Sequence, residues 1–310
     1  MSALICGSVA YDTIMVFEDR FRNHILADQV HILNVAFHVP TLRREFGGCA
    51  GNVAYNLVQL GMDAHPLATV GDDFAPYAAW MDRCGIRRDL VRTVPGTFTA
   101  QAFITTDLDD NQITAFHPGA MDHAHVQPIP TGGAFRVAMV SPDGRRGMIE
   151  HAEQLAEASI PFVFDPGQGL PLFSGEELRR FVDLASWVAL NDYESRLLAE
   201  RTGLGPAQMA ERVEAVVVTR GAEGSRIWAQ GTIHEIPAAP ARTVADPTGC
   251  GDAYRAGILY GILEGLDWPT AGRIAALLGA AKVASHGTQN HAFDVGTLAE
   301  RFFEAFGYRI

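Results

Sequence analysis

The sequence predicts an α/β fold: a mostly parallel sheet with helices on both faces and a small β-sheet standing over it. Three observations carry that prediction. Short, almost uninterrupted apolar runs recur along the 310 residues; amphipathic stretches at helical spacing separate them; and two early segments alternate apolar and polar residues instead. Strands that are apolar throughout are buried on both faces, as happens in a parallel sheet covered by its own crossover helices.

Taken in order, ALICGSVA (3–10) reads as the first buried strand, followed by HPLATVG (65–71), VAMVSP (137–142), PFVFDP (161–166), WVALN (187–191) and AVVVTR (215–220). Helical spacing marks GNVAYNLVQLG (51–61), RRGMIEHAEQLAEAS (145–159), GEELRRFVDLA (175–185) and DYESRLLAERTG (192–203). QVHILNVAFHVPTLRREFGG (29–48) and FTAQAFITTDLDDNQITAFHP (98–118) have the period of strands with one wet face, and Asp109-Asp110-Asn111 suits a hairpin turn. Neither is followed at once by a helix. The expectation is one domain over 1–310 with a β lid formed from about 13–46 and 97–118; an edge extension of the main sheet is the alternative.

The net charge of −12 argues against nucleic acid or an anionic membrane as partner. Cys6, Cys49, Cys84 and Cys250 form no CxxC pair and no zinc spacing. No apolar run reaches the ~18–20 residues of a membrane span, and the first residues lack a basic leader, so the expected compartment is the cytoplasm. Lys282 is the sole lysine, and no GxxxxGK[ST] loop is present. The eleven histidines show no metal spacing; His117, His123, His125, His286 and His291 are expected in solvated loops.

The strongest chemical signal is Asp246-Pro247-Thr248-Gly249-Cys250-Gly251-Asp252, where a strand-like RTVAD leads into the helical pattern AYRAGILYGILEG. The first amides of a helix lack internal partners and carry the positive end of its dipole. Glycines there let the backbone wrap an anion. Asp252, in the first turn, is expected ionised and able to accept a proton from a substrate hydroxyl. Capping by Thr248 or Asp246 is the simpler alternative, but it leaves the two glycines unexplained.

Other candidates are weaker singly. Gly47, Gly48 and Gly51 precede a helix bearing Asn52, without the GxGxxG of a dinucleotide site; ligand approach and tight packing are both open. Asp12, at the end of the first strand, could accept from vicinal sugar hydroxyls. Asn191 and Glu194 follow one strand, with Glu194 able to meet magnesium through water, while Thr219, Gly221 and Gly224 follow another. Phe116 and the Phe98–Phe103 stretch alternate on the lid, as hairpin packing or as a base-stacking surface; Gln101 and Phe116 are the lid candidates for substrate contact.

With these residues in view, FGGCAGNVAYNLVQLGMDAHPLATVGDD and DPTGCGDAYRAGILYGI resemble the paired signatures of the PfkB, or ribokinase-like, kinases. NDYE resembles that family's NxxE element and TRGAEG its TxGxxG turn. The likeness spans nearly the whole chain, and the FGGCAGN and DPTGCGD forms are more similar to bacterial nucleoside kinases of the adenosine-kinase type than to sugar kinases. The resemblance implies a doubly wound sheet with a β lid, and ATP-dependent phosphorylation of a purine nucleoside 5′-hydroxyl. It implies Asp252 as base and the amides of Gly249, Cys250 and Gly251 as anion hole. Asp12, Gly48 and Asn52 would hold the ribose, Asn191 and Glu194 would serve Mg²⁺ and phosphate, and Thr219 and Gly221 would meet ATP. Arg220 or Arg255 would add positive potential, and a monovalent cation such as K⁺ is an optional cofactor. Gln168, in GQGLP, is a nucleoside-site candidate; that loop lacks the Asn and Arg of many sugar kinases. Cys250 stands where the family more often has alanine. A ribose or fructose kinase and an inactive nucleoside-binding sensor are the rivals, and the lid leaves monomer and lid-paired homodimer both open.

Overall fold

The computed structural model describes residues 2–25, 34–109, 111–132 and 135–310; lid residues 26–33 and Asp110 of the expected turn lie outside them. The strands are β1 (Ser2–Cys6), β2 (Ala10–Val16), β3 (Thr41–Gly47), β4 (Asp63–Val70), β5 (Val91–Thr93), β6 (Ala100–Thr106), β7 (Gln112–His117), β8 (Val137–Val140), β9 (Phe162–Phe164), β10 (Trp187–Asn191), β11 (Ala215–Thr219), β12 (Ser225–Ala229) and β13 (Thr232–Ile236). The helices are α1 (Cys49–Gln59), α2 (Ala75–Cys84), α3 (Arg145–Glu157), α4 (Gly175–Leu184), α5 (Asp192–Thr202), α6 (Pro206–Met209), α7 (Cys250–Glu264), α8 (Trp268–Val283) and α9 (Leu298–Phe306).

A nine-stranded sheet runs in the order β13-β12-β11-β10-β9-β8-β1-β4-β5, with all strands in one direction except β12, which is antiparallel to both β11 and β13. Alternate residues of its strands feed two cores. Ile5, Met139, Ala189 and Val217 pack with α1, α2, α7 and α8, while Leu4, Val140, Leu190 and Val216 pack with α3, α4 and α5. This two-sided burial is why the strands are apolar throughout. The chain runs from β1 out to β4 and β5 and returns to β8 on the other side of β1, so the switch point lies between β1 and β8.

The lid is a separate sheet rather than an edge extension, ordered β3-β2-β6-β7 with β2 and β6 parallel. Two sequence expectations are corrected here. ALICGSVA is not one strand: β1 ends at Cys6, and Ala10 already belongs to the lid. The break falls where the chain crosses β8; a Cβ on Gly7 would lie 2.0 Å from Ser141 Oγ, and Ser8 N donates to Pro142 O at 3.0 Å. Asp12 therefore sits on a lid strand, not at the end of a main-sheet strand. RTVAD is not a strand either; the amides of Ala245 and Asp246 share the carbonyl of Val283, at 2.8 and 3.1 Å.

Candidate active site

Two helix starts converge beside the switch point. α1 begins after Gly48 (φ +86°) and α7 after Gly249 (φ +77°), and no side chain caps either one. Both glycines occupy the left-handed region, where a Cβ is strained. At α7 the first intrahelical bond is Ala253 N to Gly249 O, 3.0 Å, which leaves the earlier amides free of helical partners. The Cys250 amide is turned to Pro247 O at 3.2 Å, so Gly249 and Gly251 are the better-placed amides of the expected trio. Asp246 does not cap α7: its two oxygens accept from Thr248 N and Gly287 N, each at 2.9 Å, and so shape the loop.

Asp252, half-buried in the first turn of α7, accepts from Asn52 Nδ2 at 2.8 Å. The helix start suggests an ionised group, yet burial raises its pKa, against the lowering by Asn52 and Arg255. Asp12 is pushed up to about 6, first by burial and then by Asp252, Glu45 and Asp246. The site is thus a concentration of acid groups held in poor solvent.

The counter-charge is Arg255, one turn along α7. Its guanidinium lies 2.5 Å from Asp165 Oδ2 and 3.4 Å from Glu194 Oε2, all three residues being buried. Burial raises Asp165 to about 7 even beside Arg255. Gly251 has a packing reason as well: a Cβ there would meet Arg255 Nη1 at 2.8 Å. Arg255 is therefore committed to two carboxylates, and Arg220 to Glu235 at 2.9 Å, so neither arginine offers the free positive charge expected of it.

The predicted residues separate into two groups flanking α7. Asp12, Gly47, Gly48 and Asn52 gather on one side. A Cβ on Gly47 would lie 2.5 Å from Asp12 Oδ2, and one on Gly48 would lie 2.6 Å from Ala10 N. On the other side, Asn191 and Thr219 are register partners at the ends of β10 and β11, with Gly221 (φ +57°) and Gly224 (φ +82°) in the turn beyond. Asn191 and Glu194 form a capping box on α5, with reciprocal bonds of 2.7 Å. Glu194 also accepts from Asn191 Nδ2 and Arg255, which fixes its carboxylate in place. Among the described residues no cluster of three or more His, Cys, Asp or Glu could hold a metal ion.

Three candidates remain, two on the lid and one after β9. Lid register puts Glu45, Asp12, Ala102 and Phe116 in one row, so half-exposed Phe116 shares the Asp12 face. Gln101 pairs with Tyr11 on the opposite face and donates to Asp73 Oδ2 at 3.1 Å. Gln168 is exposed on the short turn after Asp165.

Sequence reasoning missed Asp165, Cys49, Lys282 and the loop at 286–291. Asp165 carried a usable signal, a lone acid closing an apolar strand. Lys282 is fully buried behind the glycine loop and donates from Nζ to Asp246 O (2.8 Å) and Ser285 O (3.1 Å). His291, expected in solvent, is buried against Asn56 Oδ1 at 2.8 Å, with its pKa lowered to about 4 by burial. No helix among the described residues is long and apolar enough to cross a membrane.

The pfkB family carbohydrate kinase pattern matches residues 11–294. The nucleoside kinase of Methanothermobacter thermautotrophicus is 32% identical over 96% of this chain and 97% of its own length. That of Methanocaldococcus jannaschii is 31% identical over 83% and 85%. The structure of Burkholderia thailandensis nucleoside kinase in complex with inosine is 53% identical and covers 99% of each chain, with a TM-score of 0.90. The fold is thus the ribokinase-like one, and the chain belongs to the pfkB family of carbohydrate kinases.

Proposed function

We propose that the protein is an ATP-dependent nucleoside kinase that phosphorylates the 5′-hydroxyl of a purine nucleoside: adenosine, inosine or guanosine. One observation carries the reading: a half-buried carboxylate, Asp252, stands at the uncapped start of α7, between the polar groups around Asn52 and the ends of β10 and β11. Asp12, Gly47, Gly48 and Asn52 would hold the nucleoside, with Phe116 against the base and Gln168 at the rim. Asn52 has one amide hydrogen left for the ribose, since the other is given to Asp252. Asn191, Thr219, Gly221 and Gly224 would line the ATP side, which Glu194 supports through Asn191 and Arg255.

In this reading Asp252 accepts the 5′-hydroxyl proton as the oxygen attacks the γ-phosphorus of Mg-ATP in line. The raised pKa brings its basicity nearer to working pH. The amides of Gly249 and Gly251 face the charge on the transferring group, and the lid excludes water. Magnesium enters as part of the Mg-ATP substrate, and Glu194, held by Asn191 and Arg255, would meet it through water.

The B. thailandensis enzyme with ADP-inosine bound, 55% identical, supports both the nucleoside and the nucleotide halves of the reading. The test is a panel of adenosine, inosine, guanosine, ribose and fructose with Mg-ATP, each assayed for ADP release and product. The expected outcome is at least ~10²-fold higher kcat/KM for a purine nucleoside than for either free sugar. A preference for ribose or fructose would overturn the substrate class, and nucleoside binding without turnover would make the protein a sensor.

A further inference from the structure

Four side chains drawn from three distant parts of the chain form a one-way chain of hydrogen bonds that ends on Asp252. Trp80 Nε1 donates to Gln289 Oε1 at 2.8 Å; Gln289 Nε2 donates to Asn52 Oδ1 at 3.0 Å; Asn52 Nδ2 donates to Asp252 Oδ2 at 2.8 Å. Gln289 is 1% exposed and Asn52 4%, so neither amide has water as an alternative partner. An amide can present either end to a neighbour, but an indole N–H only donates. Trp80 therefore fixes Gln289, because the flipped amide would set N–H against N–H. Gln289 in turn fixes Asn52, whose flipped form would point Oδ1 at the Asp252 carboxylate. The second hydrogen of Gln289 goes to Tyr77 Oη at 2.6 Å, and Tyr77 donates onward to Gly47 O at 2.7 Å. Room for that hydroxyl is what Gly51 provides, since a Cβ there would lie 2.1 Å from it.

We propose that Trp80 and Gln289 are positioning residues that set the polarity of the Asn52 amide, so that it always donates to the base. The assignment rests on the reading of Asp252 as general base. Besides Asn52, the titratable and charged groups facing Asp252 are Asp12 from β2, Cys49 from α1, Asp165 after β9, Glu194 from α5, and Cys250 and Arg255 from α7 itself. Only Asn52 among these contacts has an orientation that two further residues decide. A donor on Asp252 favours its ionised form. Losing that donor raises the pH at which the base is gained, so the acid limb of kcat moves to higher pH.

The experiment measures kcat and KM for inosine and Mg-ATP from pH 5 to 9 in the wild type, Trp80→Phe, Gln289→Met and the double variant. Alongside it, ¹³C NMR follows the Asp252 carboxyl titration in the ligand-free protein. Each single variant should move the acid limb and the carboxyl titration up by about one unit, lower kcat at pH 7 by about 3–10-fold and regain it at high pH. KM for Mg-ATP should stay within about twofold, and the double variant should resemble either single one, because both act through one link. Tyr77→Phe should leave the limb in place. Loss of kcat at every pH with no movement of limb or titration, while Asp252→Asn is inactive, would overturn the relay alone. Full activity of Asp252→Asn would instead overturn the base, and the carboxyl titration would still judge the relay. Should Trp80→Phe not fold, Gln289→Met with the same two readouts decides the matter.

Discussion

Two helices begin at the same edge of the main sheet in opposite ways. α5 closes its own start: Asn191 accepts the Glu194 amide and Glu194 returns to the Asn191 amide, both at 2.7 Å. α7 leaves its start open behind a left-handed glycine, and no side chain reaches its amides. Both stretches are polar and both follow apolar runs, yet only the open one keeps donors available to an outside anion. What separates them is whether the residue at the cap position has a side chain that can reach back. Arg255 ties the two together, standing on α7 and bonding Glu194 at the start of α5.

Breaking that tie should give the largest effect. Arg255→Met leaves Asp165 and Glu194 buried without their cation, and removing one partner of a buried charge set costs about 3–5 kcal/mol. Urea denaturation should read a loss of that size. The stability of the variant should fall further as pH rises from about 5 to 8, because the unpaired carboxylates bind protons only in the folded state. A variant as stable as the wild type would mean that the arginine is not the counter-charge. Next comes Asp252→Asn, which keeps the shape of the open start but removes the base. Turnover should fall by at least ~10²-fold, while nucleoside affinity, read by calorimetry, stays within a few-fold.

The two starts can also be compared directly. Gly249→Ala forces an L residue to φ +77° and brings a Cβ to 2.9 Å from Thr288 Cγ2. It should lower stability by about 1–2 kcal/mol and lower kcat by more than the folded fraction explains. Asn191→Ala removes a cap worth about 1 kcal/mol; its stability loss should be similar in kind, with kcat reduced only a few-fold. If the two variants lost activity equally, the distinction between an open and a closed start would carry no functional weight.

The sequence made the main sheet legible because burial on both faces leaves strands apolar throughout, and it made the lid legible because one wet face imposes a period of two. It hid the passage between them: residues 3–10 stay buried as they leave one sheet and enter the root of another, and a single Gly-Ser pair inside an apolar run is a weak mark of the crossing. In the site, the glycines and Asp252 were visible as a local anomaly at a helix start. The groups that set their chemistry were not, for they come from far along the chain. Asp165 is 90 residues from Arg255, and Gln289 is 237 from Asn52. Position at a helix start suggested an ionised Asp252, but the enclosing residues that raise its pKa are contributed by the tertiary fold.

The smallest expected effect belongs to Cys250, the residue between the two glycines. Its amide is turned toward Pro247 O and its Sγ stands 3.9 Å from Asp246 O, a weak contact. Its thiol pKa is raised, mainly by burial, so little thiolate exists to react or to bind. Helix propensity favours alanine slightly at such a position. Cys250→Ala should therefore keep kcat and KM within about twofold and change stability by less than about 1 kcal/mol, measured side by side with Gly249→Ala. A loss beyond tenfold would assign the thiol a role, and would mean that a side chain, rather than backbone alone, serves the open start of α7.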